Sequence, residues 1–330
     1  MRYLGSKTLL LEQIFELISE YNNGSFCDPF GGIGTVGSFM KQNGFHVVTG
    51  DILNFAHCFQ YTLIERDGDC FFEKLREHLN VNDISDIEDY LSNVFADEGW
   101  LIKEYSEKRL FFTNENACHV QGCINCIEKW YSENIIDVQE KKVLLASLIN
   151  SLDKVANTAG TYYGYLKQFD RRARKKFKFS ILRSNVGPKS FSYKMDAGQL
   201  VKRTKCDVLY LDPPYNERNY ACYYHLPETI SLGVIPEPKG KSGIFQANKV
   251  SSDYNSKNKA IDSFERLIQC ADAKCILFHY TDSGLIDIGI AKEILSSKGT
   301  VVADYYFDSK GYNTSPSIMK NRHHILKVCI

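Results

Sequence analysis

Apolar positions along the chain switch between two periods. Leu10, Leu11, Ile14, Phe15, Leu17 and Ile18 recur near the helical period, and Asn22-Asn23-Gly24 ends them. Ser25-Phe26-Cys27 predicts a short strand leading into Asp28-Pro29-Phe30-Gly31-Gly32. Residues 35–42 predict a helix, and His46-Val47-Val48-Thr49-Gly50 a second strand ending at Asp51. This is a βαβ unit, the start of a parallel sheet. From about Phe55 to Leu152 the period is mostly helical, with apolar stripes over residues 71–79, 84–95, 117–131 and 138–152. A basic stretch containing Tyr and Gly follows, residues 157–189. The β pattern then resumes: Cys206 to Leu211 reads as a buried strand halted by Pro213-Pro214. Residues 273–280 predict another strand, 286–296 a helix, and 300–307 with 323–329 an antiparallel closing pair. The sheet is therefore drawn from both ends of the chain. The expected division is an α/β domain from residues 1–60 and 191–330, interrupted by a mostly helical insertion over 61–190. Residues 236–259, rich in Lys, Ser, Asn and Gly, predict a mobile loop.

Composition narrows the setting. At 330 residues and 44% hydrophobic content the chain is long enough for a buried core, and no run approaches a membrane span. The start, Met1-Arg2-Tyr3-Leu4-Gly5-Ser6-Lys7, has neither the charged nor the apolar region of a signal peptide, so the 11 cysteines read as reduced thiols in a cytoplasmic protein. The 40 basic and 40 acidic residues balance overall, but residues 167–178 carry seven basic groups against one acidic, a local polyanion footprint or a solvated face.

Candidate chemistry begins at Gly32-Ile33-Gly34-Thr35-Val36-Gly37. This G-x-G-x-x-G pattern lies between a predicted strand and helix, and Asp51 ends the following strand. Such glycines admit close approach of an adenosine-containing ligand, and the acid can accept from ribose hydroxyls. A nicotinamide dinucleotide and S-adenosylmethionine both fit. Asp28, at the tip of the first strand, favours the second, because a carboxylate there repels a pyrophosphate and attracts a sulfonium and an ammonium. Tyr3 offers a ring face or hydroxyl, and Lys7 a cation for the methionine carboxylate.

Asp212-Pro213-Pro214-Tyr215 ends the strand 206–211, where open α/β sheets place ligands. Methylating an exocyclic amino nitrogen requires acceptors for its two N–H hydrogens, since its lone pair is delocalised into the ring. Asp212 supplies a side-chain acceptor, Pro213 a carbonyl fixed by Pro214, and Tyr215 a face on which an unstacked base can lie. Cys118, His119, Cys123 and Cys126 have a metal-like composition, but helical spacing strings them along one helix, and no metal site is expected.

Taken in order, Tyr3-Leu4-Gly5-Ser6-Lys7, Asp28-Pro29-Phe30-Gly31-Gly32-Ile33-Gly34, Asp51 and Asp212-Pro213-Pro214-Tyr215 closely resemble the Dam-like (alpha-group) adenine-specific DNA methyltransferases. Residues 216–220 and 224–229 look like the subgroup found with type II restriction systems. The resemblance implies a Rossmann-like, S-adenosylmethionine-dependent methyltransferase fold, an α/β fold with an inserted helical target-recognition region. It also implies transfer to N6 of a flipped adenine in duplex DNA, in restriction-modification or epigenetic marking. A cognate restriction endonuclease acting separately is then the companion to look for. By matching position, Tyr3, Lys7, Asp28, Phe30, Gly32, Gly34, Asp51 and Asp212 are expected at the cofactor. Asp196 matches a less specific acidic position, which a helix-starting Asp explains equally well. Lys167, Arg171, Arg172, Arg174, Lys175 and Lys176 are expected at phosphates or guanines, and Asn216, Arg218, Tyr220 and His225 around the flipped base. The alternatives are methylation of RNA or another amino group, a non-catalytic DNA-binding relative, and, more distantly, an NAD-dependent oxidoreductase.

Overall fold

The computed structural model describes residues 1–68, 72–246, 250–308 and 322–330. Phe71, at the start of an expected helix, and residues 247–249 of the expected loop lie outside them. The chain forms two compact units. One comprises Lys7–Ile52, Asn185–Asn219 and Ser251–Ile330; the other comprises Met1–Ser6, Leu53–Ser184 and Tyr220–Val250.

The first unit is built on a seven-stranded sheet. Its strands are β1 (Ser25–Asp28), β2 (His46–Asp51), β3 (Phe191–Lys194), β4 (Lys205–Leu211), β5 (Asp272–Thr281), β6 (Thr300–Asp308) and β7 (Arg322–Cys329), in the order β3-β2-β1-β4-β5-β7-β6. β1 to β5 are mutually parallel, and β7 runs antiparallel between β5 and β6. This is the doubly wound order with one reversed strand slipped in near the edge, as a Rossmann-like methyltransferase sheet requires. β4 and β5 are central, and Val208, Leu209, Tyr210 and Leu211, like Cys275 to Tyr280, are buried on both faces. The helix Ala260–Cys270 lays Phe264, Leu267 and Ile268 into the same core as Leu211, Ile276 and Phe278.

Local chemistry moves several boundaries. The apolar stripe near the start is broken into a 3-10 turn Thr8–Leu10, a helix Leu11–Glu16 and a second 3-10 turn Ser19–Tyr21. The helix expected from residue 286 begins as Ile288–Ser296, because the Asp287 carboxylate accepts from the backbone N–H of Gly289 and Ile290 and so caps it. β3 has no counterpart among the expected strands; of its four residues only Ser192 is buried.

The second unit is helical. Asn114–Ser132 starts at a Thr113 cap, and Val138–Asp153 at an Asp137–Glu140 capping box. This unit begins at Leu53 rather than residue 61, and takes in Tyr220–Val250, which the sequence assigns to the α/β part. The cause is visible in Glu228: buried on the helix His225–Leu232, it accepts from the backbone N–H of Asn54 and Phe55, each at 3.0 Å, and caps the helix Asn54–Gln60. Tyr162 N–H also donates to the Tyr223 carbonyl at 2.7 Å. No helix among the described residues is long and apolar enough to cross a membrane.

Candidate active site

In the sheet unit, the turn after β1 is shaped by glycines that only glycine suits. Gly32 and Gly34 have φ of 51° and 79°, and Gly34 caps the helix Thr35–Gln42. Gly31 N–H donates to the Gly50 carbonyl at 3.0 Å, and Gly32 N–H to Asp51 Oδ2 at 3.1 Å. The turn after β1 is thereby stitched to the end of β2, and the expected ribose-binding acid is oriented by the glycine motif itself.

Asp28 and Asp212 stand at the carboxyl ends of β1 and β4, neighbours in the sheet. Lys7 Nζ is ion-paired with Asp212 Oδ2, both side chains being mostly buried. The sequence expects Lys7 to await a carboxylate ligand; the structure gives this buried ammonium Asp212 as partner. Asp28 is buried, and burial together with the Asp212 charge pushes its carboxyl up to about 8, with Asp51 adding to the shift and a Phe30 backbone hydrogen bond and Lys7 opposing it. Among the described residues, Asp28 Oδ1 and Asp212 Oδ1 are buried and accept no hydrogen bond. Three acids against one lysine, with two acceptor atoms unused, make a site that favours a cation and an N–H donor and disfavours a pyrophosphate.

Aromatic rings complete this end of the sheet. Phe30 meets Tyr254 edge-to-face at 4.9 Å between centroids, and Tyr215 meets Tyr280 and His323 edge-to-face at 6.3 and 6.1 Å. Burial, then the Asp212 charge, raises the Tyr215 phenol above its ordinary value. Asn216 accepts from Arg218 N–H, and Asn255 Nδ2 donates to the carbonyls of both Asn216 and Arg218, fixing the turn while leaving Arg218 exposed. Tyr254, His279 and His323 were not singled out from sequence. The one signal for His279 was a polar residue within an apolar strand. Asp196 caps the helix Ala197–Arg203 through Gly198 and Gln199, so the helix-starting reading is realised.

Other expected residues belong to the helical unit. Tyr3 stacks on Tyr224 at 4.9 Å and lies 5.9 Å from Tyr220, and Leu4 N–H donates to the Tyr224 hydroxyl at 2.6 Å. His225, expected around the flipped base, is fully buried in this unit beside Tyr105 and Phe111, with Nε2 2.9 Å from the Tyr162 carbonyl. In the basic stretch, Ala173, Phe177 and Phe179 turn inward, and Asn116 Nδ2 donates to the Ala173 and Lys175 carbonyls at 3.1 and 2.9 Å. Lys167, Arg171, Arg174, Lys175 and Lys176 stay exposed. Arg172 is different, since its Nη2 donates to the Ala156 and Thr158 carbonyls at 3.2 and 2.8 Å, a structural task that the sequence does not reveal.

The segment expected as a mobile loop is partly anchored. Within the helical unit, Arg109 donates to the Gly240 and Lys241 carbonyls, and Tyr105 Oη to the Gly243 carbonyl at 2.7 Å. Cys118, His119, Cys123 and Cys126 lie along one helix; His119 Nδ1 is 2.7 Å from the Val94 carbonyl, and Cys123 Sγ donates to the Leu91 carbonyl at 3.0 Å.

Residues 3–289 match the family described as D12 class N6 adenine-specific DNA methyltransferase. Type II methyltransferase M.FokI of Planomicrobium okeanokoites is 34% identical over 312 residues, 91% of this chain and 47% of its own length. Modification methylase StsI of Streptococcus sanguinis is 33% identical over 297 residues, 87% of this chain and 44% of its own. Type II methyltransferase M.NlaIII of Neisseria lactamica is 32% identical over 309 residues, 91% of this chain and 89% of its own. The chain thus spans about half the length of the first two and most of the third. Among solved structures, magnesium protoporphyrin IX methyltransferase from Synechocystis PCC 6803 aligns over 98% of this chain and 79% of its own at 10% identity and a TM-score of 0.37, a likeness that carries no weight below.

Proposed function

The chain belongs to the family of D12 class N6 adenine-specific DNA methyltransferases, and from that premise we propose that it transfers the methyl group of S-adenosylmethionine to N6 of an adenine at a defined site in duplex DNA. The observation that carries this reading is Asp212, poised at the carboxyl end of β4 with Oδ1 buried and unused beside the equally unused Asp28 Oδ1. S-adenosylmethionine supplies an electrophilic methyl on a cationic sulfonium. Asp28 holds that cation electrostatically, Asp51 accepts from the ribose hydroxyls, and Gly32 and Gly34 let the backbone approach. Phe30 is a further proposed cofactor contact; Asp196 is left to its helix cap.

Asp212 and the Pro213 carbonyl accept the two N–H hydrogens of the flipped adenine. They aim negative charge at the nitrogen where positive charge develops, while Tyr215 offers its face to the base. Rate comes from orientation and from acceptors already in place, with no covalent enzyme intermediate. We assign methyl transfer to the sheet unit and target recognition to the helical unit. Lys167, Arg171, Arg174 and Lys175 serve as phosphate or base contacts, and Asn216 and Arg218 attend the target adenine. A DNA substrate implies a cytoplasmic setting, and the type II relatives suggest a restriction-modification role with a separate endonuclease.

The test is transfer of labelled methyl to unmethylated genomic DNA and to structured RNA in parallel, with the DNA sequenced for N6-methyladenine. Modification at one short motif in DNA supports the reading. Label only in RNA, or none with cofactor binding intact, overturns it.

A further inference from the structure

Tyr215 owes its orientation to more than its own backbone. Its carbonyl accepts from Leu285 N–H at 3.1 Å, which fixes the main chain after the two prolines. Its ring is held between two perpendicular neighbours, Tyr280 at 86° on β5 and His323 at 89° on β7. Tyr280 is pinned by its hydroxyl, which accepts from Ile286 N–H at 3.1 Å. His323 is pinned differently. Its Nδ1 lies 3.3 Å from His279 Nε2, and His279 Nδ1 lies 3.0 Å from the hydroxyl of Tyr210.

Strand register explains why these three polar groups meet. Tyr210 pairs with Leu277, so His279, two residues further along β5, shares its face of the sheet; Thr281 pairs with His323 and extends the same face onto β7. Tyr210 is also two residues before Asp212. The chain Tyr210–His279–His323 therefore refers the ring of Tyr215 back to the strand that carries the acid, across three strands of the sheet. His279 is completely buried, and nothing in a purely structural account calls for a hydroxyl and two imidazoles where apolar side chains would fill the space. Burial first, then Lys7, pushes both imidazoles below their ordinary range, with Asp212 opposing the shift at His323 and His324 adding to it at both, so the fold disfavours charge on either ring.

We propose that His323 is a positioning residue for Tyr215: held by His279, its ring edge-to-face with Tyr215 fixes the aromatic face against which the target adenine stacks, in register with Asp212. The inference rests on the function proposed above and deepens it at one residue.

Three variants test it on duplex DNA carrying the modified motif. His323→Phe keeps a ring and drops the hydrogen bond; His323→Gln keeps a hydrogen-bonding group and drops the ring; His323→Ala drops both. The expected result is a kcat about tenfold lower for Gln and Ala, the upper end of what an edge-to-face ring pair is worth, and a smaller loss of about threefold for Phe, which keeps the ring and loses the tether to His279; a Phe variant at the wild-type rate overturns the role of that tether. The KM for S-adenosylmethionine and the melting temperature stay near wild type. A second readout is independent of turnover: with 2-aminopurine in place of the target adenine, a loosened Tyr215 quenches the flipped base less, so the Gln and Ala complexes emit more strongly than wild type and Phe. Wild-type kcat and emission in Gln and Ala, or equal loss in Phe and Gln, overturns the role of the ring while leaving wild-type transfer to DNA intact. Absence of transfer by the wild type itself overturns the underlying function, and this inference with it.

Discussion

Asp28 and Asp212 end neighbouring parallel strands, and among the described residues each keeps its Oδ1 buried without a hydrogen-bond donor. Two acids at neighbouring strand ends cannot both ionise cheaply, and Lys7 pairs with Asp212. The fold therefore favours a proton on Asp28, which a bound cation displaces.

That proton is measurable. Asp28 sits at about 8 against an ordinary 3.8, so its protonated form is favoured in the fold. Its contribution to stability is full below 3.8 and is lost as pH rises through the folded value. A cation bound beside it restores ionisation, so binding S-adenosylmethionine near neutral pH releases about one proton. Calorimetric titrations in buffers of different ionisation enthalpy measure this. S-adenosylhomocysteine, with a neutral sulfur, releases less; equal release by the two ligands removes the sulfonium from the neighbourhood of Asp28.

His225 makes the opposite prediction about acid. Burial, followed by the smaller effect of Arg109 and against a hydrogen bond to Tyr162, lowers it to about 4 from an ordinary 6.5. The unfolded chain then binds a proton that the fold refuses. Stability from this group is complete above 6.5 and declines as pH falls toward 4. The total is about 3 kcal/mol. Urea unfolding of wild type and His225→Phe across that range tests this: the wild type loses more stability in acid than the variant, and parallel pH dependence in the two contradicts it.

In the basic stretch the structure separates side chains that look alike in sequence. Arg171, Arg174 and Lys175 face solvent, whereas Arg172 binds the Ala156 and Thr158 carbonyls. Alanine at an exposed position is expected to weaken DNA binding and reduce the salt slope by about one per lost phosphate contact. Arg172→Ala instead lowers the melting temperature and leaves the salt slope unchanged. Binding titrations at several salt concentrations, read beside thermal unfolding, separate the two effects.

What was legible in the sequence was whatever a strong local pattern dictates. The strand–glycine–helix turn from Ser25 to Gln42 and the strand cut off by Pro213 stand where the pattern puts them, because burial on both faces and the prolines leave one solution. β3 was illegible because Phe191, Tyr193 and Lys194 are exposed, and its pairing with β2 is a backbone matter. The reach of Tyr220–Val250 into the helical unit was equally hidden, since it depends on Glu228 meeting the start of a helix 174 residues away. Sequence put Asp28 and Asp212 at the ends of their strands but did not show their partners. The Lys7–Asp212 pair spans 205 residues, and His323 reaches Tyr215 only through the antiparallel pairing of β5 and β7.

The most direct test of the central claim is single-turnover methyl transfer to a duplex carrying the modified motif, with wild type, Asp212→Asn and Asp212→Ala compared and the product base identified. If Asp212 and the Pro213 carbonyl accept the amino hydrogens of adenine, the wild type yields N6-methyladenine. Asp212→Ala is then slower by about 10²- to 10³-fold, and Asp212→Asn, which keeps one acceptor oxygen, loses less. Transfer by Asp212→Ala at the wild-type rate, or a methyl group on any atom other than N6, contradicts the account.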